Sequence, residues 1–190
     1  MSEVKTHRDI RPIASARPLA TGVPGLDMIL HGGLVALRLA GYWRGALIQG
    51  ASGAGKSDLA LKALDAGFQL VADDRVIVWR SGGALFGRAP APLAGLIEAR
   101  GHGVLADSSL ALAEIVLAAT CVEQAIERMP ELETIEVAGV ALPHVRLNPF
   151  ETSATAKLRR ALQHLGHGPQ QAYQAGSSGG GDRLGTGDTH

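Results

Sequence analysis

The chain has 190 residues, 18 basic and 18 acidic side chains, 46% apolar residues and one cysteine. That length supports a single domain with a real core, the zero formal net charge argues against a nucleic-acid footprint, and a lone Cys121 excludes an intrachain disulfide. The longest apolar stretch, LALAEIVLAATCV, is too short to span a bilayer, and the polar start MSEVKTHRDIRPIASARP lacks a secretory apolar core, so the expectation is a cytoplasmic protein with no membrane or nucleic-acid partner.

Residues 1–25 read as a flexible lead-in that closes on the turn-like TGVPG. Residues 166–190, rich in Gly and Ser and without apolar periodicity, read as a disordered tail, which leaves one folded unit over 26–165. Within it, GGLVALRLA and RGALIQG read as two short strands. KSDLALKALDAG follows as a helix, with Leu59, Ala60, Ala63 and Leu64 at helical spacing and Gly67 placed to cap its end. FQLVADD and RVIVWR are rich in strand formers, and SGG turns the chain into ALFG. APLAGLIEARG reads as a short helix or turn. LALAEIVLAAT suits either a buried strand or a helix, and Cys121 just after it reads as a buried, inert thiol. TIEVAGVALPHVRLNP reads as strand, turn, strand. Thr152 or Ser153 is placed to cap a last helix, TAKLRRALQHL. The pattern is α/β.

Between the second strand and the first helix stands GASGAGKS, which matches G-x-x-x-x-G-K-S through Gly50, Gly55, Lys56 and Ser57. Glycines permit backbone angles barred to other residues, so the N–H groups from Gly50 through Ala51, Ser52, Gly53, Ala54 and Gly55 can turn inward as an anion nest. The helix that starts near Lys56 adds its positive end. In this motif the lysine, one of only four in the chain, reaches the β- and γ-phosphates, and the Ser57 hydroxyl ligates Mg²⁺. The loop binds nucleotide phosphate.

The next signal is LVADD. The helix carries the chain about 18 Å away from the loop, and a five-residue strand returns it about 17 Å. Asp73 and Asp74 therefore arrive back beside the phosphates. Neighbouring strand residues point to opposite faces, so the two carboxylates have different tasks: one a proton acceptor for a hydroxyl, the other a Mg²⁺ ligand.

GASGAGKSDLAL, LVADDRV, GRAPAPLAGLIEARGHGVL and the upstream LHGGLVAL together resemble the C-terminal catalytic domain of bacterial HPr kinase/phosphorylase, in order over about residues 29–105. LPHVRLNPFETSATAKL resembles the ending of the short proteobacterial members. The resemblance implies a P-loop-containing mixed β-sheet flanked by helices, of the HPr kinase/PEP carboxykinase-like fold. It implies an ATP- and Mg²⁺-dependent protein-serine kinase whose substrate is an HPr-type phosphocarrier protein of the phosphotransferase system, with assembly into homo-oligomers. By motif, it assigns Asp73 as catalytic base or acid at the serine oxygen, Lys56 as the cation at the transferred group and His31 of LHGG as a histidine near the reacting phosphate. It assigns Ser57, Asp74 and Glu98 to the metal.

The chain departs from that pattern in two places. The stretch between His31 and Gly50 is about four residues longer than usual, a surplus that widens the hairpin at LAGYWRG. The region LPHVRLNPFE lacks the Arg-Pro-Gly-Arg-like loop of the bifunctional members, with Arg146 as the nearest substitute, and leaves phosphorolysis unsupported. Two other readings of the phosphate loop are a kinase for a small metabolite and an ATP-dependent binding module that transfers nothing.

Overall fold

The computed structural model describes residues 27–124, 126 and 131–166, so the expected lead-in and the tail beyond Gly166 lie outside it. The first elements are β1 (Met28–His31), β2 (Gly33–Leu39), β3 (Tyr42–Gln49) and α1 (Lys56–Asp65). Then come β4 (Gln69–Ala72), β5 (Arg75–Ser81), β6 (Ala84–Arg88), a 3₁₀ turn at Ala91–Leu93, β7 (Leu96–Ala99) and β8 (Gly103–Ala106). The chain continues through β9 (Ala113–Cys121), β10 (Glu133–Val137), β11 (Val140–Leu147) and α2 (Ala154–Leu165).

Among the described residues, nine strands form one mixed sheet in the order β1-β5-β6-β9-β3-β2-β4, with β10 and β11 branching from β9. The branch is visible in the register. The N-terminal part of β9 pairs antiparallel with β6 through Ala113–Ile115, and its C-terminal part pairs parallel with β11 from Ala118 to Cys121. Along its other edge, β9 runs parallel to β3. β7 and β8 form a separate hairpin.

The period of two sorts the strand residues into two cores. Val35, Leu37, Ala46, Ile48, Leu117 and Ala119 face α1 and α2, which lie together on one side of the sheet. Leu34, Ala36, Leu47, Ile115 and Ala118 face the opposite way and pack against Val76, Val78 and Leu85 inside the curl of the sheet. Leu59, Leu158 and Leu162 are fully buried from the helical side, each worth about 1.5–3 kcal/mol of transfer free energy. Arg159 ties α2 to the end of α1, donating to the Ala66 carbonyl and lying over the Phe68 ring.

Several sequence expectations need correction. APLAGLIEARG is not one helix or turn: after the 3₁₀ turn, Leu96–Ala99 is a strand, paired with Gly103–Ala106. The four-residue strand alternates buried Ile97 and Ala99 with exposed Glu98, and positive φ at Gly95 and Gly101 breaks any helix on both sides. LALAEIVLAAT resolves as a strand, since it is buried on both faces between β3 and its other neighbours. Ser153 does stand at the N-cap of α2, but its hydroxyl points to Glu151 and makes no capping bond. β1 had no signal of its own and forms by pairing with β5. The hairpin is not widened at LAGYWRG: β2 and β3 stay paired as far as Leu39 and Tyr42, around the two-residue turn Ala40–Gly41 at the end of β2 remote from His31.

Candidate active site

The glycine loop joins β3 to α1. Gly50, Gly53 and Gly55 have φ of 147°, 80° and 83°. At Gly55 a left-handed backbone coincides with a close approach, since a Cβ there would stand 2.7 Å from Pro149 Cγ. Lys56 is buried, and its Nζ donates to the main-chain oxygens of Gly50 at 3.1 Å and Ala51 at 2.8 Å. The ammonium thus closes the loop on itself, while Ala51, Ser52 and Gly53 are exposed to an incoming anion.

α1 ends in a Schellman turn. Gly67 (φ 85°) donates to the Leu64 carbonyl at 2.9 Å and Phe68 to the Ala63 carbonyl at 3.0 Å. The buried Phe68 side chain sends the chain directly into β4, which returns it to the loop. Asp73 arrives there 4% exposed. Its Oδ1 accepts the Ser57 hydroxyl at 3.0 Å and its Oδ2 accepts the Glu98 main-chain N–H at 3.0 Å.

Asp74 takes the opposite course. With φ 64° it occupies the left-handed region, which Asp tolerates, and its side chain is 57% exposed. His31 Nδ1 lies 3.0 Å from the Asp74 main-chain oxygen and 3.2 Å from Oδ1. Both neighbours are acceptors, so Nδ1 carries the proton. His31 is held there because β1 pairs with β5, which puts His31 opposite Arg75, and because Gly32 lets the chain cross β3: a Cβ at Gly32 would stand 2.5 Å from the Ile48 oxygen.

The structure therefore brings Ser57, Asp73, Asp74 and His31 to one corner beside Lys56. The Glu98 side chain is exposed on β7, and its main chain, not its carboxylate, makes the bond to Asp73. Among the described residues no group of three or more His, Cys, Asp or Glu side chains converges to hold a metal. The donors that do meet, Ser57 Oγ and Asp73 Oδ1, are hard oxygens of the kind Mg²⁺ takes when phosphates and water supply the rest of its shell.

On the other flank of β3, a cleft of about 450 Å³ is lined by Gly50, Ala51, Ser52 and Ala54 and by residues 120–124. Sequence reasoning missed the polar chain behind its wall. His144 Nε2 lies 2.8 Å from Thr120 Oγ1, His144 Nδ1 lies 3.0 Å from Glu133 Oε2, and Arg146 Nη2 donates to both Glu133 oxygens. The His144 hydrogen bond, seconded by the Arg146 charge, holds Glu133 below the usual carboxylate range. These residues come from three strands and have no shared motif, so only pairing reveals them. Cys121, beside Thr120, is buried as expected, and burial pushes its thiol up to about 11 against the pull of Lys56.

A family profile described as the HPr serine kinase C-terminal domain matches residues 26–158. An HPr kinase/phosphorylase of Streptococcus thermophilus is 38% identical over 65% of this chain, and one of Streptococcus pneumoniae is 36% identical over the same share. In both cases the match spans 42% of the relative's length. The solved structure of the Hpr(Ser) kinase/phosphatase from Coxiella burnetii superposes with a TM-score of 0.58 at 23% identity, covering 70% of this chain and 96% of that one, and so shares the fold. With the profile covering most of the described residues, the chain belongs to the HPr serine kinase C-terminal domain family.

Proposed function

We propose that this chain is an ATP- and Mg²⁺-dependent serine kinase for an HPr-type phosphocarrier protein, and so a regulator of phosphotransferase-dependent carbohydrate metabolism. The observation that carries the reading is the corner where Asp73 meets Ser57 and Asp74 meets His31, beside the lysine of the phosphate loop. A binding module needs no exposed carboxylate at that position. A metabolite kinase needs an enclosed acceptor site, whereas Asp74 and His31 lie open to a large partner.

The geometry supports a division of labour opposite to the one the motif resemblance implies. Both oxygens of Asp73 are buried and each already accepts one hydrogen bond. A hydroxyl on another protein therefore meets the exposed Asp74 carboxylate first, whereas a small cation beside Ser57 can use the remaining lone pair of Oδ1. Asp73 and Ser57 are suited to hold Mg²⁺, and Glu98, whose main-chain N–H reaches Asp73 while its side chain is exposed, would have to turn its carboxylate inward to add a third oxygen. Bound there, the metal supplies positive charge to the β- and γ-phosphates. Asp74 is suited to be the base. It takes the serine proton as the serine oxygen bonds to the γ-phosphorus and the bridging P–O bond breaks. Lys56 and the loop N–H groups hold the charge gathering on the departing diphosphate. His31 orients the Asp74 carboxylate through Nδ1–H.

The test is direct: incubate the protein with Mg-ATP and purified HPr-type carriers and follow phosphoserine by mass. Phosphate on a carrier serine supports the proposal. Transfer to a small metabolite alone, or binding without transfer, overturns it.

A further inference from the structure

The phosphate loop is supported at its two ends and open between them. At Gly50 a Cβ would stand 2.9 Å from the Cys121 oxygen, and at Gly55 one would stand 2.7 Å from Pro149 Cγ and 3.2 Å from Phe150 Cζ. At Gly53 a Cβ would meet nothing within 4 Å. The two supports belong to one frame. β9 and β11 pair Cys121 with Leu147, and the Val122 N–H donates to the Leu147 oxygen at 2.9 Å. Two residues further on, the buried Pro149 meets the loop.

The turn that bears Pro149 holds its own shape. Asn148 Oδ1 accepts the Phe150 N–H at 3.0 Å, and the Asn148 main-chain oxygen accepts the Glu151 N–H at 3.2 Å. Neither bond fixes the turn against the loop. Lys62 supplies that link, its Nζ donating to the Pro149 oxygen at 3.1 Å. It stands on α1 six positions after Lys56, about 9 Å along the helix axis, and helical side chains lean back toward the N-terminus. Asp58, four positions earlier, draws the ammonium further that way through an ion pair of 2.6 Å.

We propose that Lys62 is a positioning residue for the phosphate loop: by holding the Pro149 carbonyl it seats the proline ring against Gly55 and keeps the loop in the shape that receives a polyphosphate. This role rests on the phosphate reading of the loop and deepens it, since it names what holds the loop ready. A loop that its ligand must first order binds more weakly, in proportion to the fraction of time it is already ordered. Lys62 touches no reacting group. Its ammonium is engaged by Pro149 and Asp58, and it acts on the anion through the ring. Its side chain is 43% exposed, so replacing it opens no cavity.

The experiment is equilibrium titration of the full chain with Mg-ATP and with Mg-tripolyphosphate, beside a thermal melt, for the wild type, Lys62→Met, Pro149→Ala and the double variant. Lys62→Met keeps the alkyl stem and is expected to weaken both ligands alike, about three- to tenfold, within the worth of one charge-assisted hydrogen bond. Pro149→Ala leaves the carbonyl on Lys62 but removes the ring, and is expected to weaken both ligands to a similar degree. In that background Lys62→Met is expected to add nothing, because ammonium and ring act through one contact. A lysine that only stabilises the fold would lower the melting temperature and leave the affinity of the folded protein unchanged, and that result overturns the role. A double variant in which the two losses multiply overturns it too, since the lysine would then act by its charge and not through Pro149. Failure of the wild type to bind either ligand overturns the phosphate-loop reading, and this role with it.

Discussion

Ser57 and Asp73, sixteen positions apart, are joined by a 3.0 Å hydrogen bond, whereas Asp74, one residue further, has its carboxylate in solvent against His31. Adjacent residues with opposite surroundings give opposite mutant phenotypes. Asp74→Asn is expected to lower kcat for transfer by about 10²–10⁴-fold, the usual worth of a general base, with ATP affinity unchanged. Asp73→Asn places an amide where the Ser57 hydroxyl and the Glu98 N–H both donate. It is expected to cost about 1–3 kcal/mol of stability and to weaken Mg-ATP more than Mg-free ATP. Steady-state kinetics with paired titrations separates the two, and loss of ATP binding in Asp74→Asn with survival in Asp73→Asn would reverse the assignment.

Two glycines of the loop distinguish backbone strain from steric contact. Gly53 and Gly55 have nearly equal φ, 80° and 83°, but a Cβ at Gly53 meets nothing within 4 Å and one at Gly55 meets Pro149 Cγ at 2.7 Å. Gly53→Ala is expected to lose only the left-handed backbone term, about 1–2 kcal/mol. Gly55→Ala is expected to lose more, because Pro149 is rigid and its carbonyl is already held by Lys62. Urea denaturation of both variants checks the order.

Cys121 gives a prediction in pH. Its folded pKa, about 11, lies above the ordinary 9.0, so the neutral thiol is the form that folding favours. The stability this contributes is fully present below pH 9 and is lost as the pH rises through about 11. Between pH 8 and pH 11 the wild type should lose more stability than Cys121→Ala, as read from denaturation midpoints. Iodoacetamide at pH 8 should leave the folded thiol unmodified and alkylate it in urea.

Leu158→Ala in α2 should cost about 2–5 kcal/mol, since Leu158 is fully buried in the core that α2 shares with α1. Because that core also supports α1, the same variant should weaken triphosphate binding at temperatures where the protein is still folded, which a thermal melt and a titration together would show.

The legible parts of the sequence were those written locally. GASGAGKS specifies its own turn, and KSDLALKALDAG carries its periodicity and its C-cap glycine within twelve residues. Hairpins at Ala40–Gly41, Gly82–Gly83 and Ala138–Gly139 each display positive-φ residues between strand formers. The return of LVADD to the loop followed from helix and strand lengths alone, and Asp73 does meet Ser57. Alternation also foretold that the two aspartates differ, but not which faces inward, because that depends on the left-handed turn at Asp74 and on the Glu98 N–H from a separate hairpin. Leu96–Ala99 was hidden for a similar reason: four residues with three apolar positions fit a helix turn as well as a strand, and only the partner Gly103–Ala106 decides. Thr120, Glu133 and His144 became neighbours through β9, β10 and β11, a pairing no local pattern encodes.

The fork at β9 bears on how the molecule is made. During synthesis β3 emerges with one flank already covered by β2, and its other flank stays bare until some seventy residues later, when β9 follows. β9 in turn keeps an open edge until β11 appears. The chain must therefore hold a half-built sheet, apolar on both surfaces, through much of translation, and closing such distant pairings is slow. A nascent chain stalled before Ala113 leaves the edges of β3 and β6 both waiting for β9, which makes this interval, rather than the finished protein, the stage most in need of a chaperone.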